Sequence, residues 1–162
     1  MWFASVLAAA ILEVPYVPQV KDTCGAASLA MVMRYWQSDV THDAIAAKLL
    51  KPELSGIAGS HLQDFARDRG MTAVAYVGDM DLVREYLGKG RPLIVALKVG
   101  NNRYHNVVVI GYDEEKHELV LHDPAEGPSR RMAEAAFEKR WSGSMHWTLL
   151  ILPPQPSPSP SP

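Results

Sequence analysis

The chain of 162 residues contains a single cysteine, Cys24, within Gln19-Val20-Lys21-Asp22-Thr23-Cys24-Gly25-Ala26-Ala27-Ser28-Leu29. A thiol nucleophile needs a base within hydrogen-bond reach, a third group to orient that base, and a donor for the oxyanion that forms on the substrate. The local pattern prepares the sulfur. Val14-Pro15-Tyr16-Val17-Pro18 is too rich in proline for a helix and reads as an extended edge segment. Ala26 to Trp36 is a run of helix formers and apolar residues. Cys24 therefore falls at the first turn of a buried helix, where free N–H groups and the helix dipole favour thiolate. Gly25 leaves backbone room beside the sulfur, and the Gln19 side-chain amide can donate toward the same place. A lone cysteine is as readily a small buried hydrophobe, so the base must be found elsewhere in the chain.

The second informative stretch supplies it. His105-Asn106-Val107-Val108-Val109-Ile110-Gly111-Tyr112 is a β-branched strand. Asp113 to Lys116 is a polar turn, His117 to His122 a returning strand, and Asp123-Pro124 closes it, since proline cannot continue a central strand. An antiparallel hairpin of these lengths brings His105 and Asp123 to the same edge. A histidine there can take the thiol proton, and a carboxylate can fix its tautomer. The register is open at this level, and a one-residue slip would turn either side chain away. Each residue alone is as readily a strand-end histidine or a turn aspartate before proline. Among rival bases, His122 abuts Asp123 but should point to the opposite face. His117 lies in the turn, His42 and His61 lie at exposed helix starts, and His146 has no acid beside it in sequence.

The remaining elements frame these residues. Helices are expected over about 24–37, 42–50 (capped by Thr41), 61–69 (capped by Ser60), from Asp79 to Leu87, and over 133–141. Strands are expected over 71–77, 92–99 and 145–152 beside the hairpin. Pro92 to Val99 is strongly apolar and reads as central. Arg130 and Arg131 read as a solvated basic spot. The chain divides into an apolar segment 1–13, a domain 14–152, and a Pro/Ser tail 153–162 that cannot build a core.

Trp2 to Leu12 is too short to span a bilayer, which takes about 20 residues. It fits the apolar region of a secretory signal, with Ala8-Ala9-Ala10 as a cleavage site. No basic residue precedes it, and an N-terminal helix of the fold is the alternative. The expected location is exported, periplasmic or extracellular, with cytoplasmic as the alternative. Apolar content of 48% and charged content of 21% are ordinary for a globular domain. A net charge of -2 leaves no basic footprint for nucleic acid. One cysteine excludes an internal disulfide and a multi-cysteine metal site, and the histidines lack metal-binding spacing. No metal or organic cofactor is implied, and the oligomeric state is open.

These motifs together resemble a known family. Val14-Pro15-Tyr16-Val17-Pro18-Gln19, Thr23-Cys24-Gly25-Ala26-Ala27-Ser28-Leu29-Ala30-Met31, His105 to Asp113, and His122-Asp123-Pro124 are similar to the papain-like cysteine peptidases of the bacteriocin-processing type. Those enzymes remove double-glycine leader peptides, and this chain looks closest to their stand-alone relatives. The resemblance covers about Val14 to Leu152. It implies an α+β papain-like fold, with a helical half carrying the cysteine and an antiparallel sheet half carrying the histidine. It implies Cys24 as nucleophile, His105 as general base and acid, Asp123 as orienting carboxylate and Gln19 as oxyanion donor, acting on a peptide or protein substrate such as a leader peptide. The chain departs from the family at Asn106, where an aromatic or bulky residue is frequent. Two other functions fit the same residues: a peptide-binding module that does not cleave, and another amide acyl transfer such as deamidation, cyclisation or cell-wall amide cleavage.

Overall fold

In the computed structural model, residues 10–51, 53, 55–156 and 158–161 are described. Most of the proposed export segment, and with it the choice between signal and helix, lies outside them. Helix α1 (Cys24–Tyr35) is followed by α2 (His42–Leu49), α3 (Gly59–Asp68), β1 (Thr72–Val77), α4 (Met80–Gly88), β2 (Leu93–Lys98), β3 (Tyr104–Asp113), β4 (Glu118–Asp123), β5 (Gly127–Ala133), α5 (Glu134–Ser142) and β6 (Trp147–Leu152). The six strands form one antiparallel sheet in the order β1-β6-β2-β3-β4-β5. This is the α+β arrangement that the resemblance implies, with the cysteine helix packed on an antiparallel sheet. Residues 153–156 and 158–161 carry no helix or strand. Among the described residues, no helix is long and apolar enough to cross a membrane.

Two apolar clusters sandwich the sheet. On one face α1 contributes Leu29, Met31 and Met33, α2 contributes Ile45, and α3 contributes Leu62 and Phe65, against Ile94, Val108, Ile110, Leu149 and Ile151. On the other face Val83 and Leu87 of α4 and Phe137 and Trp141 of α5 cover Leu93, Val95, Val107, Val109 and Leu121. A strand covered on both faces must be apolar at every position. That is why β2 reads Leu-Ile-Val-Ala-Leu, buried throughout before Lys98. The helix α1 is buried from Gly25 to Met33, so the backbone that carries Cys24 is fixed by the core itself.

Several expected boundaries shift, each with a local cause. Helix α1 stops at Tyr35, and Gln37 turns into the left-handed region at φ 71°. Helix α3 begins at Gly59 with Ala58 as its cap, not Ser60. Gly59 lies under the Trp147 ring, where a Cβ would sit 2.4 Å from Cζ2. Strand β6 starts at Trp147 because Met145 and His146 both have φ of 55°. Strand β5 is missing from the sequence reading. Gly-Pro-Ser-Arg-Arg-Met-Ala has no strand composition, but Pro128 and outward arginines suit an edge. Arg131 is not free there: it pairs with Asp113 at 3.0 Å and Glu118 at 3.2 Å.

The hairpin β3–β4 contains the irregularity that places the site. Beside the turn, Asp113 opposes Glu118, Tyr112 opposes Leu119 and Gly111 opposes Val120. A regular ladder would continue with Ile110 opposite Leu121. Instead Val109 opposes Leu121 and Val108 opposes His122, so β3 carries one extra residue at Ile110. Continuing that register sets Asp123 opposite Val107 and on the same face as His105. Without the bulge it would oppose Val108 and face the other way. The chain before α1 braces this point. Leu12 N–H donates to Ile110 O at 2.8 Å, and a Cβ on Gly111 would lie 3.2 Å from Ile11 Cγ1.

Because α1 seats the cysteine by burial, emptying its core contact should loosen the whole helical half. Leu29 is fully buried, and Leu29→Ala is expected to cost about 2–5 kcal/mol of stability. The check is the denaturant midpoint at constant slope, and a loss well under 1 kcal/mol would contradict the packing described.

Candidate active site

Cys24 is the first residue of α1. The turn before it, Val20 to Thr23, holds Asp22 at φ 62°. Thr23 stands at the N-cap position but does not cap the helix. Its buried hydroxyl donates to Val20 O at 2.7 Å and accepts from Val20 N–H at 3.1 Å. The helix N-terminal N–H groups therefore stay available to the sulfur. His42, expected at the surface, is the exception among the outlying histidines. Its side chain is only 10% exposed, and its Nε2 meets Thr23 Oγ1 at 2.8 Å while Nδ1 meets Asp43 at 2.9 Å. The connection 36–41 carries the chain back so that the start of α2 meets the start of α1, and nothing local in the sequence signals that.

The half-buried Cys24 sulfur accepts from Asn106 N–H at 3.5 Å, with Asn106 Nδ2 at 4.0 Å. Asn106 is itself held by Ser28, whose hydroxyl donates to Asn106 O at 3.2 Å. His105 directly precedes Asn106, whose N–H reaches the sulfur, and it lines the same cleft as Cys24. Its Nε2 meets Asp123 Oδ1 at 2.6 Å, and both side chains are 14% exposed. With Nε2 committed to the carboxylate, Nδ1 is the nitrogen left for the sulfur. Asp123 Oδ1 also accepts from Ala125 N–H at 2.9 Å and Glu126 N–H at 3.2 Å. The carboxylate is thus locked by its own turn.

The electrostatics follow from these contacts. Burial alone would raise the Cys24 pKa, but the neighbouring His105 ring and its charge, with the Asn106 and Gly25 N–H groups, bring it below its ordinary value. Burial would depress His105, but its bond to Asp123, the neighbouring Cys24 and the charges of both outweigh this and raise it to about 9. Burial would raise Asp123, and His105 with the Ala125 and Glu126 N–H groups lowers it. All three shifts favour the charged form of their group: thiolate, imidazolium and carboxylate. A raised histidine stabilises the fold fully below its unfolded pKa of about 6.5. That contribution is lost as the pH rises through about 9.

These groups open onto a cleft of about 1470 Å3 between the helical half and the sheet, lined among others by Gln19, Cys24, Ile57, His105, Asn106 and Trp147. Gln19 lines the same cleft as Cys24, and its side-chain Oε1 is buried without a partner among the described residues. The structure thus brings Cys24, His105, Asp123 and Gln19 to one cleft, with His105 and Asp123 hydrogen-bonded to each other. The other histidines stand apart. His117 and His61 are exposed, and His122 faces away, donating from Nε2 to Val14 O at 2.7 Å. His146 does have an acid, contrary to its sequence surroundings: Glu138 of α5 lies 2.5 Å from its Nε2. Among the described residues no cluster of metal-ligating side chains is present.

Comparison with known proteins places this arrangement. The model of the Peptidase_C39-like family matches residues 11–146. A peptidase domain of Streptococcus ComA, a bifunctional ABC transporter of a quorum-sensing pathway, is 25% identical and superposes with a TM-score of 0.72, covering 89% of this chain and 98% of that one. A double-glycine-motif protease from an AMS/PCAT transporter, solved in complex with the leader peptide, is 26% identical with a TM-score of 0.70, covering 89% and 94%. A C39-like peptidase from Bacillus anthracis shares the fold at 17% identity and a TM-score of 0.73, covering 92% and 100%.

Removing the carboxylate charge tests the electrostatic chain. Asp123→Asn takes away the main partner that raises His105, so the imidazole should titrate clearly below about 9. Following the His105 ring proton by NMR through the titration reads this directly, and an unchanged midpoint would show that Asp123 does not set the imidazole's charge.

Proposed function

The chain belongs to the Peptidase_C39-like family, and from that membership and the geometry of the cleft we propose that it is a cysteine peptidase. The observation that carries this reading is the His105 imidazole, held by Asp123 at 2.6 Å in the cleft that Cys24 also lines. In the resting state His105 holds the thiol proton. The Cys24 thiolate attacks the carbonyl carbon of the scissile peptide bond, and the carbonyl electron pair moves to oxygen. The Gln19 amide N–H and the N–H groups at the start of α1 stabilise that oxyanion. Imidazolium gives its proton to the departing amine as the C–N bond breaks, leaving a thioester on Cys24. His105 then takes a proton from a water that attacks the thioester carbon, and the C–S bond breaks, releasing the acid and leaving the Cys24 thiolate beside the imidazolium. Asp123 keeps the ring oriented throughout.

The substrate is a peptide or protein. The leader-peptide complex of the double-glycine-motif protease supports a leader peptide bound in the same cleft. Asn106 gives that cleft a small amide beside the sulfur, where the resemblance leads one to expect an aromatic or bulky residue, so the residue preceding the cut need not be restricted to glycine.

A panel of peptides, including a double-glycine leader, tests the proposal by mass spectrometry of products and of intact protein. Wild type should release cleaved peptide and show an acyl adduct on Cys24, Cys24→Ala should do neither, and Gln19→Ala should lower kcat by about 100- to 1,000-fold. Tight peptide binding without adduct or product would favour the binding module instead.

A further inference from the structure

The segment before α1 is sewn to the β3–β4 hairpin by ties in sequence order. Leu12 N–H donates to Ile110 O at 2.8 Å. Val14 O accepts from His122 Nε2 at 2.7 Å. The Tyr16 hydroxyl donates to Asp123 O at 3.0 Å, with Pro124 O at 3.3 Å. Gln19 N–H donates to Pro124 O at 2.9 Å. This strap ends in Gln19, and the strand it follows ends in Asp123.

His122 makes the innermost side-chain tie, and its proton inventory is fully determined. Val14 O can only accept, so Nε2 carries a hydrogen. Ser129 N–H can only donate, and it points at Nδ1 from 3.0 Å, so Nδ1 presents its lone pair. The ring is therefore the neutral Nε2–H tautomer. It is 5% exposed, and the Tyr16 ring meets it edge-on at 5.6 Å between centroids. Burial holds its pKa below the usual imidazole value, with the Val14 bond opposing only in part. One side chain thus joins the strap, β4 and β5 immediately beside Asp123, while taking no part in the cleft.

We propose that His122 is a positioning residue: it latches the Val14–Gln19 strap to β4, so that the Gln19 amide and the Asp123 carboxylate are held in one frame. The proposal rests on the peptidase reading for the roles of those two groups. Its physical content is that the oxyanion donor and the orienting carboxylate, far apart in sequence, share a rigid mount. Misplacing one of them by about 1 Å can cost on the order of 100-fold in rate.

Two isosteres separate the latch from mere packing. His122→Gln puts an amide donor where Nε2 lies and keeps the Val14 tie. His122→Asn puts an amide oxygen where Nδ1 lies and keeps only the Ser129 tie. Tyr16→Phe cuts the neighbouring tie without disturbing His122. The probe is acetyl-Gly-Gly-aldehyde, which adds the Cys24 thiolate and sets its oxygen at the oxyanion donors. Iodoacetamide, which needs only the thiolate, serves as control. The latch requires His122→Asn to weaken aldehyde affinity about tenfold or more, and His122→Gln to stay within about threefold of wild type. Tyr16→Phe should weaken it in the same direction, and this variant decides the matter if His122→Asn does not fold. Equal affinities for the Asn and Gln variants, or a Tyr16→Phe variant indistinguishable from wild type, overturn the latch even where Tm falls. A wild type that neither labels with iodoacetamide nor binds the aldehyde fails the peptidase reading itself, a result distinct from either.

Discussion

The site depends on a single extra residue in β3. Antiparallel strands alternate faces, so His105 and Asp123 can meet only if their positions share parity. The bulge at Ile110 changes that parity between the turn and the strand ends. It sets Asp123 on the face of His105 and leaves His122 to turn the other way, toward Val14. Two apolar clusters depend on the same shift. Val108, Ile110 and Val120 belong to the cluster beneath α1, while Val109, Tyr112 and Leu119 belong to the other. The bulge is therefore held by burial on both faces and by the strap that pairs with it at Leu12.

Bringing the sulfur to this pair is the work of α1. A thiolate, an imidazolium and a carboxylate in a largely buried site are costly to desolvate unless each charge is paired and hydrogen-bonded. Here every member has partners. The sulfur has His105, Asn106 N–H and the helix start, His105 has an anion on either side, and Asp123 has two turn N–H groups. Thr23 contributes by what it leaves undone, since its hydroxyl engages Val20 and His42 and does not cap the helix. The same buried hydroxyl links the nucleophile turn to α2, so the helical half is braced much as the sheet half is.

The residues of the candidate site were legible in the sequence because their constraints are local. A proline-rich strand that breaks into an apolar helix places Cys24 at a helix start. A β-branched run, a polar turn and a proline stop bracket His105 and Asp123 at the open end of one hairpin. The elements with strong periodicity or clear caps, such as Asp79 before α4, were equally readable. What escaped is what tertiary contact decides. The bulge has no composition of its own, β5 is a strand only because β4 offers an edge, and α3 begins under the Trp147 ring rather than at the better capping residue. His42 looks like a surface residue and becomes a partner of Thr23 only once α2 packs beside α1. His146 finds Glu138 only because the turn after α5 folds back on the helix.

The central claim is that His105 holds Cys24 as a thiolate. The rate of iodoacetamide labelling of Cys24 against pH, in wild type and in His105→Ala, measures it most directly. The account predicts strong labelling of the wild type well below pH 7 and, in His105→Ala, a shift toward the free-cysteine range of about 8.5. A cysteine that labels only at alkaline pH in both proteins, or one indifferent to His105, would contradict the ion pair and the peptidase chemistry built on it.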